Sequence, residues 1–89
     1  MYRITPSETA RNQIEALPEQ RRRELEEVVD HLASILPALE RVGFVRPLRW
    51  WKRDANIYFD NTFPYAIIFE RFEDNAELYI DVVLPAVVS

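Results

Sequence analysis

Apolar residues in the second half of the chain come in short dense runs separated by polar turn formers. Asn56 to Asp60, Tyr65 to Phe72 and Leu78 to Leu84 are rich in Ile, Val, Phe and Tyr, and they are broken by Asp60-Asn61-Thr62-Phe63-Pro64 and Glu73-Asp74-Asn75. This is strand and turn chemistry, and it predicts an antiparallel β-meander. In the last run Leu78, Ile80, Val82 and Leu84 alternate with Tyr79, Asp81, Val83 and Pro85, so one face belongs to a core and the other is only partly wet. Tyr65-Ala66-Ile67-Ile68-Phe69 is apolar on both faces and is predicted to be the central strand.

The first half has a different period. Tyr2-Arg3-Ile4 is a short alternating segment suited to a first strand. Thr5-Pro6-Ser7-Glu8 then reads as a helix start, with Thr5 as N-cap, Pro6 at the first helical position and Glu8 as the capping-box acid. This helix is expected to run to about Ala16, with Ala10, Ile14 and Leu17 on one face. A second helix starts at Pro18-Glu19-Gln20, and Leu25, Val28, Val29, Leu32, Ile35 and Leu36 follow at helical spacing. Pro37 is expected to end or kink it. In Phe44-Val45-Arg46-Pro47-Leu48-Arg49-Trp50-Trp51 an edge strand is expected at about Leu48 to Trp51. The predicted class is α+β: an N-terminal strand and an α-hairpin packed on a twisted antiparallel sheet, in one domain over residues 1–89.

Length and composition then remove several function classes. A chain of 89 residues buries a small core and has little margin. With no cysteine it has no disulfide or thiolate metal site, and a lone histidine argues against zinc. A single glycine leaves no Gly-rich phosphate loop or nucleophile elbow. No apolar run reaches the roughly 18 residues of a membrane span, and no signal-peptide pattern opens the chain, so a soluble cytoplasmic protein is expected. The net charge of −4 is unevenly spread: Met1 to Arg53 holds ten basic and eight acidic residues, and Asp54 to Ser89 one basic and seven acidic. Phosphate affinity rests on cationic contacts, so any nucleic-acid contact must come from the first part of the chain.

Arg46, Arg49, Lys52 and Arg53 with Trp50 and Trp51 are the one cluster that mixes cations with indoles. Such a group can hold phosphate while stacking a base; in the alternative reading the tryptophans pack inside and the charges solvate a turn. Arg21-Arg22-Arg23 lies among Glu19, Glu24, Glu26 and Glu27 and reads as an ion-paired helix face, with a contact to RNA or an acidic partner as the alternative. His31 reads as a surface or helix-pair histidine. Tyr58, Tyr65 and Tyr79 can pack across strands or supply a hydroxyl. Asp60, Glu70 and Asp81 show no spacing that specifies a carboxylate pair.

The layout resembles the RelE/ParE superfamily of toxins from bacterial type II toxin–antitoxin modules, from Tyr2 to Val83. The resemblance is carried by Tyr2-Arg3-Ile4 with Thr9-Ala10, the helix pair, Leu48-Arg49, Pro64-Tyr65-Ala66-Ile67-Ile68-Phe69 and the closing Leu78-Tyr79-Ile80-Asp81-Val82-Val83. It implies a toxin held in check by a cognate antitoxin protein, in a homodimer or a heterotetramer with that antitoxin. For a ribonuclease member it implies metal-independent cleavage of messenger RNA on the ribosome, inhibiting translation without a cofactor, with Arg49 and Tyr58 as catalytic candidates and Arg46, Lys52 and Arg53 as RNA-binding residues. A ParE-like member would inhibit DNA gyrase without catalysis, and an inactive member would only bind a protein partner. The chain departs from the ribonuclease pattern in three places: Ala66 follows the strand tyrosine where an arginine is common, Asn56, Tyr58 and Asp60 replace lysines, and Pro85-Ala86-Val87-Val88-Ser89 has no Arg, Tyr or His.

Overall fold

The computed structural model describes residues 2–86; residues 87–89, where the sequence lacks a basic tail, lie outside the described part. The chain order is β1 (Arg3–Pro6), α1 (Glu8–Glu15), α2 (Glu19–Arg41), β2 (Val45–Pro47), β3 (Ala55–Tyr58), β4 (Tyr65–Phe72) and β5 (Glu77–Pro85). The strands form one sheet in the order β1-β5-β4-β3-β2, which puts β4 in the centre as its two apolar faces predict. β2 to β5 form an antiparallel meander. β1 lies parallel to β5, with Ile4 opposite Leu78, so the sheet is antiparallel from β2 to β5, as expected, and mixed at its β1 edge. The helices carry the chain from one sheet edge to the other, and three antiparallel steps return β5 beside β1 in the same direction.

The pairing of β1 also moves the start of the first helix. Thr5 and Pro6 pair with Tyr79 and Ile80, and the Thr5 hydroxyl donates to Glu77 at 3.1 Å. The N-cap is therefore Ser7, whose Oγ accepts from the Ala10 amide at 2.9 Å. The same hydroxyl donates to the Asp81 carbonyl at 2.7 Å, fastening the helix start to β5.

In α2 the apolar stripe is interrupted at Ile35, whose φ of −126° and ψ of 31° lie outside the helical range. The cause is Pro37: it has no N–H for the Ala33 carbonyl, which accepts instead from the Tyr2 amide at 3.4 Å. The kink turns Ile35 outward, 42% exposed, while Leu25, Val29, Leu32, Ala33, Leu36 and Leu39 stay buried. Val28, also assigned to the stripe, is partly buried against the same core. That stripe packs on Ile67 and Phe69 of β4 and Leu78, Ile80 and Val83 of β5, with Ala10 of α1 beside them. Each fully buried side chain of this kind contributes about 1.5–3 kcal/mol.

α2 ends in a Schellman turn. The Phe44 amide donates to the Leu39 carbonyl at 3.0 Å, the Gly43 amide to that of Glu40 at 3.2 Å, and Gly43 has φ +84°. The chain therefore enters β2 directly at Val45, before the predicted Leu48. Val45 and Pro47 pair with Tyr58 and Asn56, and the ladder closes with the Leu48 amide donating to the Ala55 carbonyl at 2.9 Å. By alternation the nitrogen of Pro47 faces the outer edge, where no strand needs its missing hydrogen.

Candidate functional site

Helices cover one face of the sheet, and the opposite face is open. Leu48, Ala55 and Ile68 form a small buried cluster there, with Ile57 and Val82 packed against it. Two sequence features give this apolar floor its polar equipment. One is the loop between β2 and β3; the other is an irregularity in β5.

The loop from Leu48 to Ala55 is held by its backbone. The Trp51 amide donates to the Leu48 carbonyl at 3.0 Å, the Ala55 amide to Lys52 at 3.1 Å, and the Arg71 amide to Asp54 at 3.0 Å. Arg49, Trp50, Trp51, Lys52 and Arg53 are all exposed. Trp50 is 79% exposed and meets Trp51 edge to face, with ring centroids 6.3 Å apart. The tryptophans are therefore surface groups, and the reading that buries them does not hold. Among the described residues no ion pair engages Arg46, Arg49 or Arg53.

The irregularity is a bulge. Ile68 pairs with Val82 but Phe69 with Ile80, leaving Asp81 as the extra residue. Ile80 and Val83 point into the helix-side core while Val82 joins the open-face cluster, and Asp81 is turned to the open side beside it, as bulges re-aim side chains. Glu70 follows core-facing Phe69 and so faces the same way. Lys52 Nζ stands 3.8 Å from Glu70 Oε2 and 3.7 Å from Asp81 Oδ1. Asp81 is only 6% exposed, and its Oδ2 is buried with no hydrogen-bond partner among the described residues. Burial, then the neighbouring Asp81, which favours the protonated form as an acceptor and by its charge, hold the Glu70 carboxyl above the usual carboxylate range; Lys52 works against that rise and Asp54 adds to it.

Of the residues singled out from sequence, Lys52 is brought to the centre of this face, while Arg49 and Arg53 stand on the loop at its rim. Arg46 pairs across from open-face Ile57, but its Nε–H donates to the Gly43 carbonyl at 3.2 Å, which draws the side chain toward the end of α2. There Arg46 lines a cavity of about 720 Å³ with Val42, Phe44, Ile57 and Phe59. Tyr58 is not grouped with the cations. Strand alternation places it opposite Val45 on the helix side, 6% exposed. Its hydroxyl donates to Asp60 at 3.4 Å. Burial pushes the phenol up, and the charge and hydrogen bond of Asp60 push it further.

Arg21 pairs with Glu24 at 3.0 Å and Arg23 with Glu19 at 2.6 Å, the ion-paired face read from the sequence; His31 is exposed. The residues that sequence spacing missed are Glu70 and Asp81. Each interrupts an otherwise apolar strand, which was a signal, but their meeting depends on the register of β4 on β5.

No protein-family model matches the sequence, and no characterised protein is a significant relative by sequence. Comparison with solved structures is decisive for the fold. The chain is similar to a chain of the intact E. coli RelBE toxin–antitoxin complex, with a TM-score of 0.73 at 16% identity over 98% of this chain and 99% of that one. The chain has the RelE fold. The isolated E. coli RelE toxin gives a TM-score of 0.74 at 17% identity, covering 100% of this chain and 88% of its own. A RelE–RelB complex from the archaeon Pyrococcus horikoshii gives 0.68 at 22% identity, covering 94% and 93%.

Proposed function

We propose that this chain is the toxin of a type II toxin–antitoxin module and that its open sheet face cuts messenger RNA on the ribosome. The observation that carries the reading is the RelE fold over nearly the whole chain, with an exposed cationic and aromatic loop at the open face. In this reading Arg49 binds the phosphate at the cut, Arg53 and Lys52 position the RNA, and Arg46 extends the cationic edge once it leaves Gly43. Trp50 and Trp51 offer π-faces to bases. The partner in the cell is a small cognate antitoxin, the protein works in the cytoplasm, and the chemistry calls for no metal or cofactor.

Inducible expression in bacteria, with growth followed and messenger RNA 5′ ends mapped in the same culture, tests this. Arrest with new ribosome-dependent cuts, both lost on Arg49→Ala in a variant that still folds, is the expected outcome. Growth arrest without cuts would replace the ribonuclease reading with inhibition of DNA gyrase. Undisturbed growth would leave a fold that only binds a protein partner.

A further inference from the structure

Lysine and arginine do not dominate the centre of the open face; a pair of carboxyl groups does. The pair is built by the fold: antiparallel register sets Glu70 opposite Tyr79 on β5, and the bulge two residues on adds Asp81 to the same side. A buried Asp81 oxygen without a donor is a costly feature to retain, and it is satisfied when the neighbouring carboxyl carries a proton and gives it as a hydrogen bond. Lys52 spans both groups, leaving one cation against two acids.

We infer that Glu70 is the proton donor of the open face, with Asp81 as the positioning residue that holds the proton on it and Lys52 as the cation that balances the pair beside the RNA. The inference rests on the ribonuclease reading and names the acid that its chemistry needs. The 2′-hydroxyl oxygen of RNA forms a bond to the adjacent phosphorus and releases its proton to water. The bond from phosphorus to the 5′ oxygen breaks, and that oxygen takes the proton from the Glu70 carboxyl. Glu70 then regains a proton from water. Accessibility divides the roles: the Glu70 side chain is 15% exposed and reachable, whereas that of Asp81, at 5%, acts only through its neighbour. The direction in which burial and Asp81 move the Glu70 carboxyl agrees with a group that keeps its proton to higher pH than a free glutamate. The ionisable groups facing Glu70 are Lys52 and Asp54 from the loop, Asp81 from β5 and Tyr79, its cross-strand partner.

The test is single-turnover cleavage of a messenger RNA on purified ribosomes, as a function of pH, by the full chain and by Glu70→Gln, Asp81→Asn and Lys52→Met. Circular dichroism confirms the fold, and carboxyl carbon NMR follows Glu70 directly. Glu70→Gln is expected to lose about 10²-fold or more in rate together with the fall in activity at high pH. Asp81→Asn should move that fall, and the NMR titration of Glu70, to lower pH. Lys52→Met should move both to higher pH, whatever its effect on RNA binding; it keeps the test open if Asp81→Asn does not fold. A Glu70→Gln protein that cuts at the wild-type rate with the wild-type profile overturns the assignment while leaving the ribonuclease reading intact. A wild-type chain that cuts nothing overturns both.

Discussion

Gly43 and Glu70 show how single residues set the limits of this fold. Gly43 closes α2 at φ +84°, where a side chain is strained by its own backbone. An added Cβ would meet nothing closer than the Arg46 guanidinium, at 3.5 Å, so the penalty for Gly43→Ala is conformational rather than steric. It is expected to cost about 1–2 kcal/mol, read as a lower urea midpoint with unchanged slope. Glu70 acts through pH. Its folded carboxyl is held above the ordinary value of 4.5, so between the unfolded and folded values the native state binds more protons than the unfolded chain. The associated stability is complete below the unfolded value and is lost as pH rises through the folded one. Glu70→Gln should flatten this fall in a series of thermal melts from the carboxylate range to neutrality; a curve parallel to wild type would mean that the pair does not hold the proton.

Among the elements, α1 does more than cover the core. β1 pairs with β5 only as far as Ile80, and beyond it the Val83 amide donates to Gln13 Oε1 of α1 at 2.8 Å. A helix side chain thus completes the edge that β1 leaves unpaired. Gln13→Ala would strand a buried N–H and is expected to cost about 1–3 kcal/mol, while Ser7→Ala, which removes the cap, should cost about 1 kcal/mol; chemical denaturation checks both. If either variant matched wild type, α1 would not be fastened through these bonds. These contacts also mark where sequence reading stops. The helical stripe, the meander and the central strand were legible because each is a local period of apolar residues. The choice between Thr5 and Ser7 as cap was not, since it depends on a strand more than 70 residues away. Val45 as the start of β2 was hidden by the turn that Gly43 makes. The loop cations were visible as a cluster, but the place of Tyr58 on the helix side was not, because nothing local says which parity of β3 faces the helices. The Glu70–Asp81 pair needs both register and bulge, and neither is written in the spacing of two acids.

At the scale of the molecule, charge divides along the same line as structure. The segment from Asp54 onward, which forms the three central meander strands, has one basic residue against seven acids, and that one, Arg71, is engaged by Glu40 and Glu73 at 2.7 and 2.6 Å. A polyanion approaching the open face therefore meets repulsion except along the loop, where Arg49 and Arg53 are exposed without an acidic partner among the described residues. Binding of single-stranded RNA should accordingly depend on few contacts and respond to salt with a shallow slope. Each phosphate contact contributes about 0.7 to the fall of log affinity with log salt, so replacing Arg49 and Arg53 together by alanine should lower the slope by about 1.4 and weaken binding most at low salt. Arg21 and Arg23, paired on α2, provide the contrast: their double replacement should leave the slope unchanged. Both tryptophans of the chain lie in this loop, so their fluorescence reports the titration without a label. Equal slopes for the two double variants would mean that RNA is held by net charge alone and that the loop has no special place in the interface.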